Sequence, residues 1–484
     1  MRPATRFRMF SIALTAWMGL ASPAYPQEPA SRPARSPILV TFDLHMDPMG
    51  GAGDDARGWA MYDLWSEGAT WLLGVTEPRG ARLSFSTVGQ FAEYCLADPD
   101  GAFPMIERLH ESGGSIGTHS HDFVRLGEFA WSPLGANPTA EEIERLWADD
   151  VGMVDELVRQ ALHVADPQVR GINNLRGTHQ PSDAADRYAL CEEYGFELSQ
   201  SGPTEDFAGL FQHYMYHPFR SSTDNELAED RSGPVIMTHA GPVLGSLGVH
   251  KGIQQDMTLP KMQARFLAEA LNWIYETRTG QPDRVWCYGW GSHGSDVSVS
   301  GDSRALVEPW LDWLEAHFIG RRIAGSVIAR YSSYHEEGRK YRTWEAANPD
   351  LSGRGYPSRE REWSLYPWLA PVAAHLWDAS YVSALRDDAA VQVHRLQASE
   401  SLNGPYAIVV AFPCAGGRVA VDLSAVDGSP WVRINPSSGA QTVWPATSVP
   451  VPPMGAILIP SASCPSLDEQ KARIEAAYPV ELRD

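Results

Sequence analysis

The chain has 484 residues and a formal net charge of -21, so it is long enough for two or three domains and too acidic to favour nucleic acid or anionic membranes as partners. Apolar residues make up 43% and charged residues 20%, a balance typical of a globular protein, which excludes a disordered or fibrous class. The five cysteines include no C-x-x-C pair, which excludes a zinc ribbon and leaves any disulfide pairing open.

The N-terminus carries the pattern of a secretory signal peptide. Three arginines within the first eight residues precede an apolar run over 9–20, and small residues at 22–24 offer a cleavage site. The run is too short to span a bilayer, and no later run reaches the required length. The sequence therefore predicts a signal peptide over 1–24, a Pro-, Ala- and Ser-rich linker over 25–36, no membrane span, and a secreted or periplasmic mature protein.

The first predicted strand stops at a cluster of polar residues. Residues 37–42 are apolar and β-branched, which indicates a buried strand, and acidic and imidazole side chains follow at once from Asp43. A strand that stops at such side chains is a favourable place for chemistry in an α/β fold. A second short strand, residues 115–118, leads in the same way into His119.

Between these strands and residue 300 the pattern alternates between strands and amphipathic helices. Thr139 is predicted to cap one long helix, because Glu142 three residues later completes a capping box. Alternation of this kind indicates a mainly parallel sheet or an α/β barrel. The predicted helices cover 103–112, 139–164, 182–195 and 259–277, and the predicted strands cover 196–199, 233–239 and 284–288.

The C-terminal half of the chain has a different character. We predict a catalytic α/β domain over 37–300, followed by a helical, Trp-rich segment over 301–387. Its tryptophans fit either stacking on sugar rings or the packing of two domains against each other. Short β-rich runs separated by turns indicate a small β-sandwich over 388–462, and residues 463–484 are predicted to form a mobile helical tail.

Two pairs of side chains at predicted strand ends have the spacing of metal ligands. His119 and His121 lie two residues apart, so both imidazoles can face one point, and imidazole is a good ligand for zinc, iron, cobalt or nickel. Asp43 and His45 have the same relation at the end of the first strand, and Asp47 lies one step further. A carboxylate there can act as a general base on a water whose pKa a metal lowers toward roughly 7. Loop capping by the histidines and an Asx-turn at Asp43 are the structural alternatives.

Arg176 and His239 follow near the ends of later predicted elements. Arg176 could orient a carboxylate through bidentate hydrogen bonds, and His239 could protonate a leaving group or stabilise an oxyanion. His179 and His293 are further candidates for the same site. Each of these residues is more often structural when it stands alone, so none decides the function by itself.

Taken in order, the strand-end motifs resemble those of the polysaccharide deacetylase family, carbohydrate esterase family four. The matching stretches are 40–43 (VTFD), 115–120 (SIGTHS), 175–181 (LRGTHQP) and 235–239 (VIMTH). The resemblance covers about residues 36–290 and implies the distorted (β/α) barrel of that family. It also implies that Asp43 is the general base, His239 the general acid and His119 a metal ligand.

Three positions depart from the family pattern, and one of them is Thr178, where the third motif usually has Pro. The second Asp of the opening motif, a metal ligand in the family, is Leu44 here, and either His45 or Asp47 could replace it. The second His of the family, four residues after the first, is Phe123 here, which leaves His121 as the available ligand. These changes indicate a divergent member and leave open an altered metal site, a different reaction or a lost one.

The sequence therefore predicts an exported, metal-dependent hydrolase that removes acetyl groups from a polysaccharide or amino-sugar glycan. The expected cofactor is a divalent metal, zinc first, with cobalt, nickel or iron as alternatives, and the expected partner is the polysaccharide substrate. Two other functions stay open: a glycoside hydrolase or polysaccharide lyase on the same barrel, and a non-catalytic carbohydrate-binding protein. The predicted catalytic residues are Asp43, His239 and Arg176, and the predicted metal ligands are His45, His119 and His121.

Overall fold

A computed structural model describes most of the chain from residue 34 onwards. The described residues are 34–49, 55–119, 121, 123–135, 137–165, 171–173, 184–199, 217–224, 229–238, 244, 249–250, 253–254, 257–353, 371–400 and 404–477. The predicted signal peptide, most of the predicted linker, and the predicted site residues Arg176, His179 and His239 lie outside these ranges.

Strands and helices alternate over the first part of the described chain, and strands dominate its last part. The described strands are β1 (Ile38–His45), β2 (Leu83–Thr87), β3 (Ser115–His119), β4 (Phe123–Gly127), β5 (Ala130–Pro133), β6 (Gly171–Asn173), β7 (Leu198–Ser199), β8 (Phe219–Arg220), β9 (Ile236–Met237), β10 (Val249–His250), β11 (Ile253–Gln254), β12 (Trp286–His293), β13 (Arg322–Ile323), β14 (Ser326–Val327), β15 (Ala329–Ser332), β16 (Ser380–Asp387), β17 (Val391–Gln397), β18 (Ala407–Pro413), β19 (Val419–Asp422), β20 (Trp431–Ile434), β21 (Gln441–Trp444), β22 (Ser448–Val451) and β23 (Ala456–Pro460). The described helices are α1 (Asp55–Thr76), α2 (Gly89–Ala97), α3 (Pro99–Glu111), α4 (Ala140–Leu162), α5 (Ala184–Glu193), α6 (Leu259–Thr279), α7 (Gly294–Val297), α8 (Arg304–His317), α9 (Tyr334–Ala347), α10 (Pro371–Leu376) and α11 (Leu467–Ala477), with a 3-10 turn at Glu77–Arg79.

Strand β1 is the centre of a mainly parallel sheet. It pairs in parallel with β12 along one side, and on the other side with β15 over its first half and β2 over its second half. The sheet continues from β2 through β3, β6, β7 and β9, and the antiparallel strand β8 ends the path. The predicted α/β class with a parallel sheet is thereby confirmed. Within the described ranges the path from β12 to β8 stays open, so closure into a barrel remains a prediction.

Alternate residues of β1 face two different packing environments, because successive side chains of a strand point to opposite faces. Val40, Phe42 and Leu44 are buried in the main hydrophobic cluster, the set of apolar side chains that also includes Phe266 of α6 and Trp310 of α8. Leu39, on the other face, packs in a separate cluster with aromatic side chains of α9. Thr41, Asp43 and His45 share that second face, which carries the polar groups of the strand toward the carboxyl edge of the sheet.

The segment 301–387 is helical only in part, which corrects the prediction. Helices α8 and α9 lie in it, but β13, β14 and β15 lie between them and β16 begins before the segment ends. Strand β15 pairs with β1 in the central sheet. This long-range pairing cannot be predicted from its Ala-Arg-Tyr-Ser sequence. Trp310 and Trp313 are buried and stack at 5.4 Å between ring centroids, so these tryptophans pack the core.

The C-terminal strands form two antiparallel sheets. One has six strands in the order β16-β17-β18-β23-β20-β21, and the other pairs β19 with β22. Val409 and Leu458 of the larger sheet are buried with Val421 and Val449 of the smaller one. Side chains on the opposite face of the larger sheet, such as Phe412, join the main hydrophobic cluster. This arrangement supports the predicted β-sandwich.

Both ends of the described region are fixed on the body of the protein. The Arg35 amide donates to Ser326 Oγ at 2.9 Å, and Ser36 Oγ donates to Asp283 Oδ2 at 2.8 Å, so the last residues of the predicted linker are bound. Ile474 of α11 is fully buried in the main hydrophobic cluster, so this part of the predicted tail is packed and not mobile. Among the described helices, none has the length and apolar character needed to cross a membrane.

Candidate metal centre

Three strands of the central sheet end in histidine. These residues are His45 at the end of β1, His119 at the end of β3 and His293 at the end of β12. Because the strands are parallel, their carboxyl ends meet at one edge of the sheet. His45 stands directly beside His293 in the β1–β12 register, and their ring centroids are 4.3 Å apart. The His45 ring is also 4.8 Å from that of His119, so strand pairing gathers imidazoles from distant parts of the chain.

The Asp47 carboxylate lies among these histidines. Its Oδ1 is 3.2 Å from His119 Nε2 and 3.3 Å from His121 Nε2, and its Oδ2 is 3.7 Å from His293 Nε2. Two sets of side chains could hold a metal ion: Asp47 with His119 and His121, and Asp47 with His45 and His293. The ligand atoms within each set all lie within 4.8 Å of one another. Asp47 belongs to both sets and is therefore the carboxylate on which the site is built.

The structure thus brings together the predicted ligands His45, His119 and His121. It also gives a reason for the departure at Leu44, which is fully buried in the main hydrophobic cluster on the opposite face of β1. A carboxylate at that position would face the core, whereas Asp47 lies beyond the strand end and can turn toward the histidines. Phe123 pairs with Pro133 in the β4–β5 hairpin.

Asp43 holds His45 in place. The Nδ1 atom of His45 lies 2.9 Å from Asp43 Oδ2, and Ser86 Oγ donates to Asp43 Oδ1 at 3.4 Å. Gly291 stands beside Asp43 in the sheet, and a Cβ atom there would come within 2.9 Å of the Asp43 carbonyl oxygen. A carboxylate behind one ring nitrogen fixes the tautomer of a histidine and leaves Nε2 unprotonated. The pair is therefore suited to bind a cation or to accept a proton.

Burial and hydrogen bonding give His119 and Asp47 the ionisation states of metal ligands. Burial lowers the pKa of His119 to about 3, although its hydrogen bond with Asp47 acts in the opposite direction. Burial alone would raise the pKa of Asp47, but hydrogen bonds from His119 and His121 and the charge of His293 hold it well below its usual range. The buried Nδ1 of His119 has no hydrogen-bond partner among the described residues. A neutral imidazole and an ionised carboxylate are the forms that bind divalent metals.

Asp296 is a residue of the site that the sequence analysis missed. Its Oδ2 lies 2.6 Å from His293 Nδ1, and the two residues form a capping box at the start of α7. Burial would lower the pKa of His293, but the hydrogen bond with Asp296 and the charges of Asp47 and Asp43 raise it above its ordinary value. The signal was present as a His and an Asp three residues apart, a few residues after the strand predicted over 284–288. The surroundings therefore shift the pKa values of His119 and His293 in opposite directions within one site.

Comparison with known proteins gives likenesses only among solved structures. Neither a protein-family model nor a curated relative matches the sequence. A probable polysaccharide deacetylase from Pseudomonas aeruginosa PAO1 is similar with 15% identity and a TM-score of 0.39, over 65% of this chain and 93% of that one. A 4-alpha-glucanotransferase from Thermococcus litoralis is similar with 12% identity and a TM-score of 0.37, over 64% of this chain and 41% of that one.

A family 4 carbohydrate esterase from Streptomyces lividans, solved in complex with acetate, is also similar. Its identity is 9% and its TM-score 0.26, over 62% of this chain and 100% of that one. Polysaccharide deacetylases and esterases, which the sequence motifs resemble, are thus among the solved structures similar to this chain. At these scores and identities we take neither the fold nor the activity of this chain from the likeness.

Proposed function

We propose that this protein is an exported, metal-dependent hydrolase that removes acetyl groups from a polysaccharide or amino-sugar glycan. The observation that carries the proposal is the convergence of imidazoles from three strand ends on the Asp47 carboxylate. Export rests on the N-terminal pattern over 1–24, and the choice of an acetylated glycan rests on the order of the sequence motifs.

The residues present fit a divalent metal. Asp47, His119 and His121 would hold it, a carboxylate and two imidazoles of the kind found in catalytic zinc sites, and His45 is close enough to add a ligand. The unpartnered buried Nδ1 of His119 and the low pKa of Asp47 agree with this assignment. Such a metal supplies Lewis acidity, which acidifies water and draws charge from a carbonyl oxygen.

The remaining side chains divide the proton transfers of an acyl hydrolysis between them. Asp43, with His45 hydrogen-bonded to it, is placed to accept the proton that water loses as it attacks the acetyl carbon. His293, held by Asp296 at Nδ1, presents Nε2 toward Asp47 and can donate a proton to the departing amine or alkoxide. His239, the acid implied by the motif resemblance, lies outside the described residues and keeps that role as a prediction.

The test is acetate release from acetylated xylan and from N-acetylated chitooligosaccharides, measured together with product chain length and bound metal. We expect the zinc-loaded wild-type protein to release acetate from at least one substrate without shortening it. Asp47→Asn and His119→Gln should lose metal and at least about 100-fold in rate, since loss of an outer partner alone costs 10- to 100-fold.

Asp100→Asn is the matched control, because Asp100 is exposed in the first turn of α3 and should leave rate and metal content unchanged. Wild-type rates in both site variants, or after exhaustive chelation, would overturn the proposal. Shortened products would favour a glycoside hydrolase or lyase. A protein without metal, and without activity after metal is restored, would favour a carbohydrate-binding role.

A further inference from the structure

A cavity lies at the edge of the central sheet opposite the metal centre. Its volume is about 770 Å³, which is in the range of small-molecule sites. The cavity is lined by the residues before β3, the residues before and at the start of β7, and the first turns of α9: Gly113, Gly114, Gly195, Glu197, Leu198, Ser333, His335, Gly338, Arg339 and Arg342, with His110 from α3.

The cavity and the metal centre are separate sites. Gly114 directly precedes β3, whereas His119 ends it, so four residues of the strand lie between them. At a rise of about 3.3 Å per residue this separation is roughly 13 Å or more. The amide of Tyr334 donates to Ser84 Oγ at 3.0 Å, which anchors the start of α9 at this amino-terminal edge of the sheet.

Cationic side chains outnumber acidic ones around the cavity. Arg342 is hydrogen-bonded to Glu197 at 2.8 Å, so one positive charge is balanced. The guanidinium of Arg339 is exposed and has no acidic partner within the described part of the chain. Burial lowers the pKa of His335 to about 4, and the charges of Arg339, Arg342 and His110 act in the same direction, which places these cations around its ring. The positive charge around the cavity contrasts with the chain as a whole, whose net charge is -21.

The start of α9 leaves a buried hydroxyl facing this space. Ser333 is only 2% exposed, yet it lines the cavity and its side chain does not cap the helix. Across the described ranges the Ser333 hydroxyl makes no hydrogen bond, although its carbonyl accepts from the Glu337 amide. A helix of 14 residues carries a partial positive charge at its amino end, and a hydroxyl and amides there are common partners of anionic oxygens.

From this geometry we infer that the cavity binds an anionic sugar, through oxyanion oxygens held by Arg339 and the start of α9. The shared chemistry is a phosphate or carboxylate group on a sugar-sized body. The volume exceeds what a bare ion fills and leaves room for a sugar-sized body. The buried, unpaired Ser333 hydroxyl supplies a partner for a ligand oxygen.

The experiment is calorimetric titration of chelator-treated protein, so that no metal is present to bind the anion. The probes are glucose 6-phosphate, glucuronate, inorganic phosphate and glucose. We expect glucose 6-phosphate or glucuronate to bind and glucose not to bind. The anionic sugar that binds more tightly shows whether the cavity recognises a phosphate or a carboxylate group. Arg339→Ala should weaken that binding at least about 10-fold, because it removes a charge-assisted hydrogen bond.

Arg386→Ala is the matched control, since Arg386 is also exposed but lies in β16, paired with Asp388. It should bind the anionic sugar as the wild type does. Asp47→Asn should also keep this binding, which makes the result independent of the proposed hydrolase. Absence of binding by both anionic sugars, or equal binding in wild type and Arg339→Ala, would overturn the inference.

Discussion

The individual histidines of the candidate metal centre differ because their neighbours differ. His119 is buried with Asp47 as its hydrogen-bond partner, and burial dominates, so it stays neutral. His293 is held by Asp296 and faces a second carboxylate, and these charges outweigh burial. Groups whose environments push their pKa values apart can take opposite roles in acid–base chemistry. This contrast supports the proposal that His119 is a metal ligand and His293 the proton donor.

His293→Gln should therefore separate proton donation from metal binding. We expect the variant to keep its metal and to lose about 10²- to 10⁴-fold in acetate release, the usual contribution of a general acid. A protonated donor is lost as pH rises through its raised pKa, so the wild-type rate should fall on the alkaline side and the variant should lack this decline. Metal content by mass spectrometry and the pH profile of acetate release check this. Metal loss in proportion to activity would instead make His293 a ligand.

At the scale of elements, α9 packs a carboxyl against the middle of the central sheet. Glu337 is fully buried and hydrogen-bonded through Oε1 to the Thr41 hydroxyl of β1. Glu269 of α6 is also fully buried and lies near enough to interact with it. Burial raises the pKa of Glu337 to about 8 and that of Glu269 well above its usual range. Glu337 is therefore expected to be protonated in the folded protein near neutral pH.

Glu337→Gln should flatten the pH dependence of stability. The unfolded carboxyl ionises near pH 4.5 and the folded one near 8, so unfolding releases a proton between these values and the wild type loses stability as pH rises. The loss is at most about 1.4 kcal/mol per pH unit, and the amide variant lacks it. In urea unfolding, the free energy of unfolding should fall less between pH 5 and pH 8 for the variant than for the wild type. Exposed Glu107→Gln should show no such difference; a parallel shift in both variants would contradict the prediction.

Elements with local signals could be predicted from sequence, and elements made by distant pairing could not. The capping box of Thr139 and Glu142 is present, and α4 and α6 begin within one residue of their predicted starts. The sequence predicts a helical segment where strand β15 lies, because a partly buried four-residue strand has no periodicity of its own. The sequence alone does not decide the roles of Asp47 and His293, because only the pairing of β1 with β12 brings them together.

For the molecule as a whole, residues 34–484 form one compact unit whose main hydrophobic cluster crosses the predicted domain boundaries. Phe42 of β1, Trp310 of α8 and Phe412 of β18 all belong to that cluster. The C-terminal sheet therefore covers apolar surface of the α/β part. The C-terminal sheets have a cluster of their own between them, but the larger sheet also shares the main cluster with the α/β part.

The full chain should unfold in a single calorimetric transition. A chain that stops at residue 387 should not fold cooperatively, because it exposes the face that Phe412 and its neighbours cover. Differential scanning calorimetry of the mature chain and circular dichroism of the shortened one measure this. Two resolved transitions, or a stable shortened protein, would instead establish the predicted boundary at residue 388 as a true domain border.

The position of β1 also governs when the chain can acquire its structure. This first strand is bordered by β12 and β15, which come from beyond the middle of the sequence. Until those segments have been synthesised, residues 38–41 have no strand partner, and residues 42–45 can pair only with β2. Folding dominated by such distant contacts is slow. For a chain predicted to be exported, this delay would keep the newly made polypeptide in a threadable state during its passage through a translocation pore.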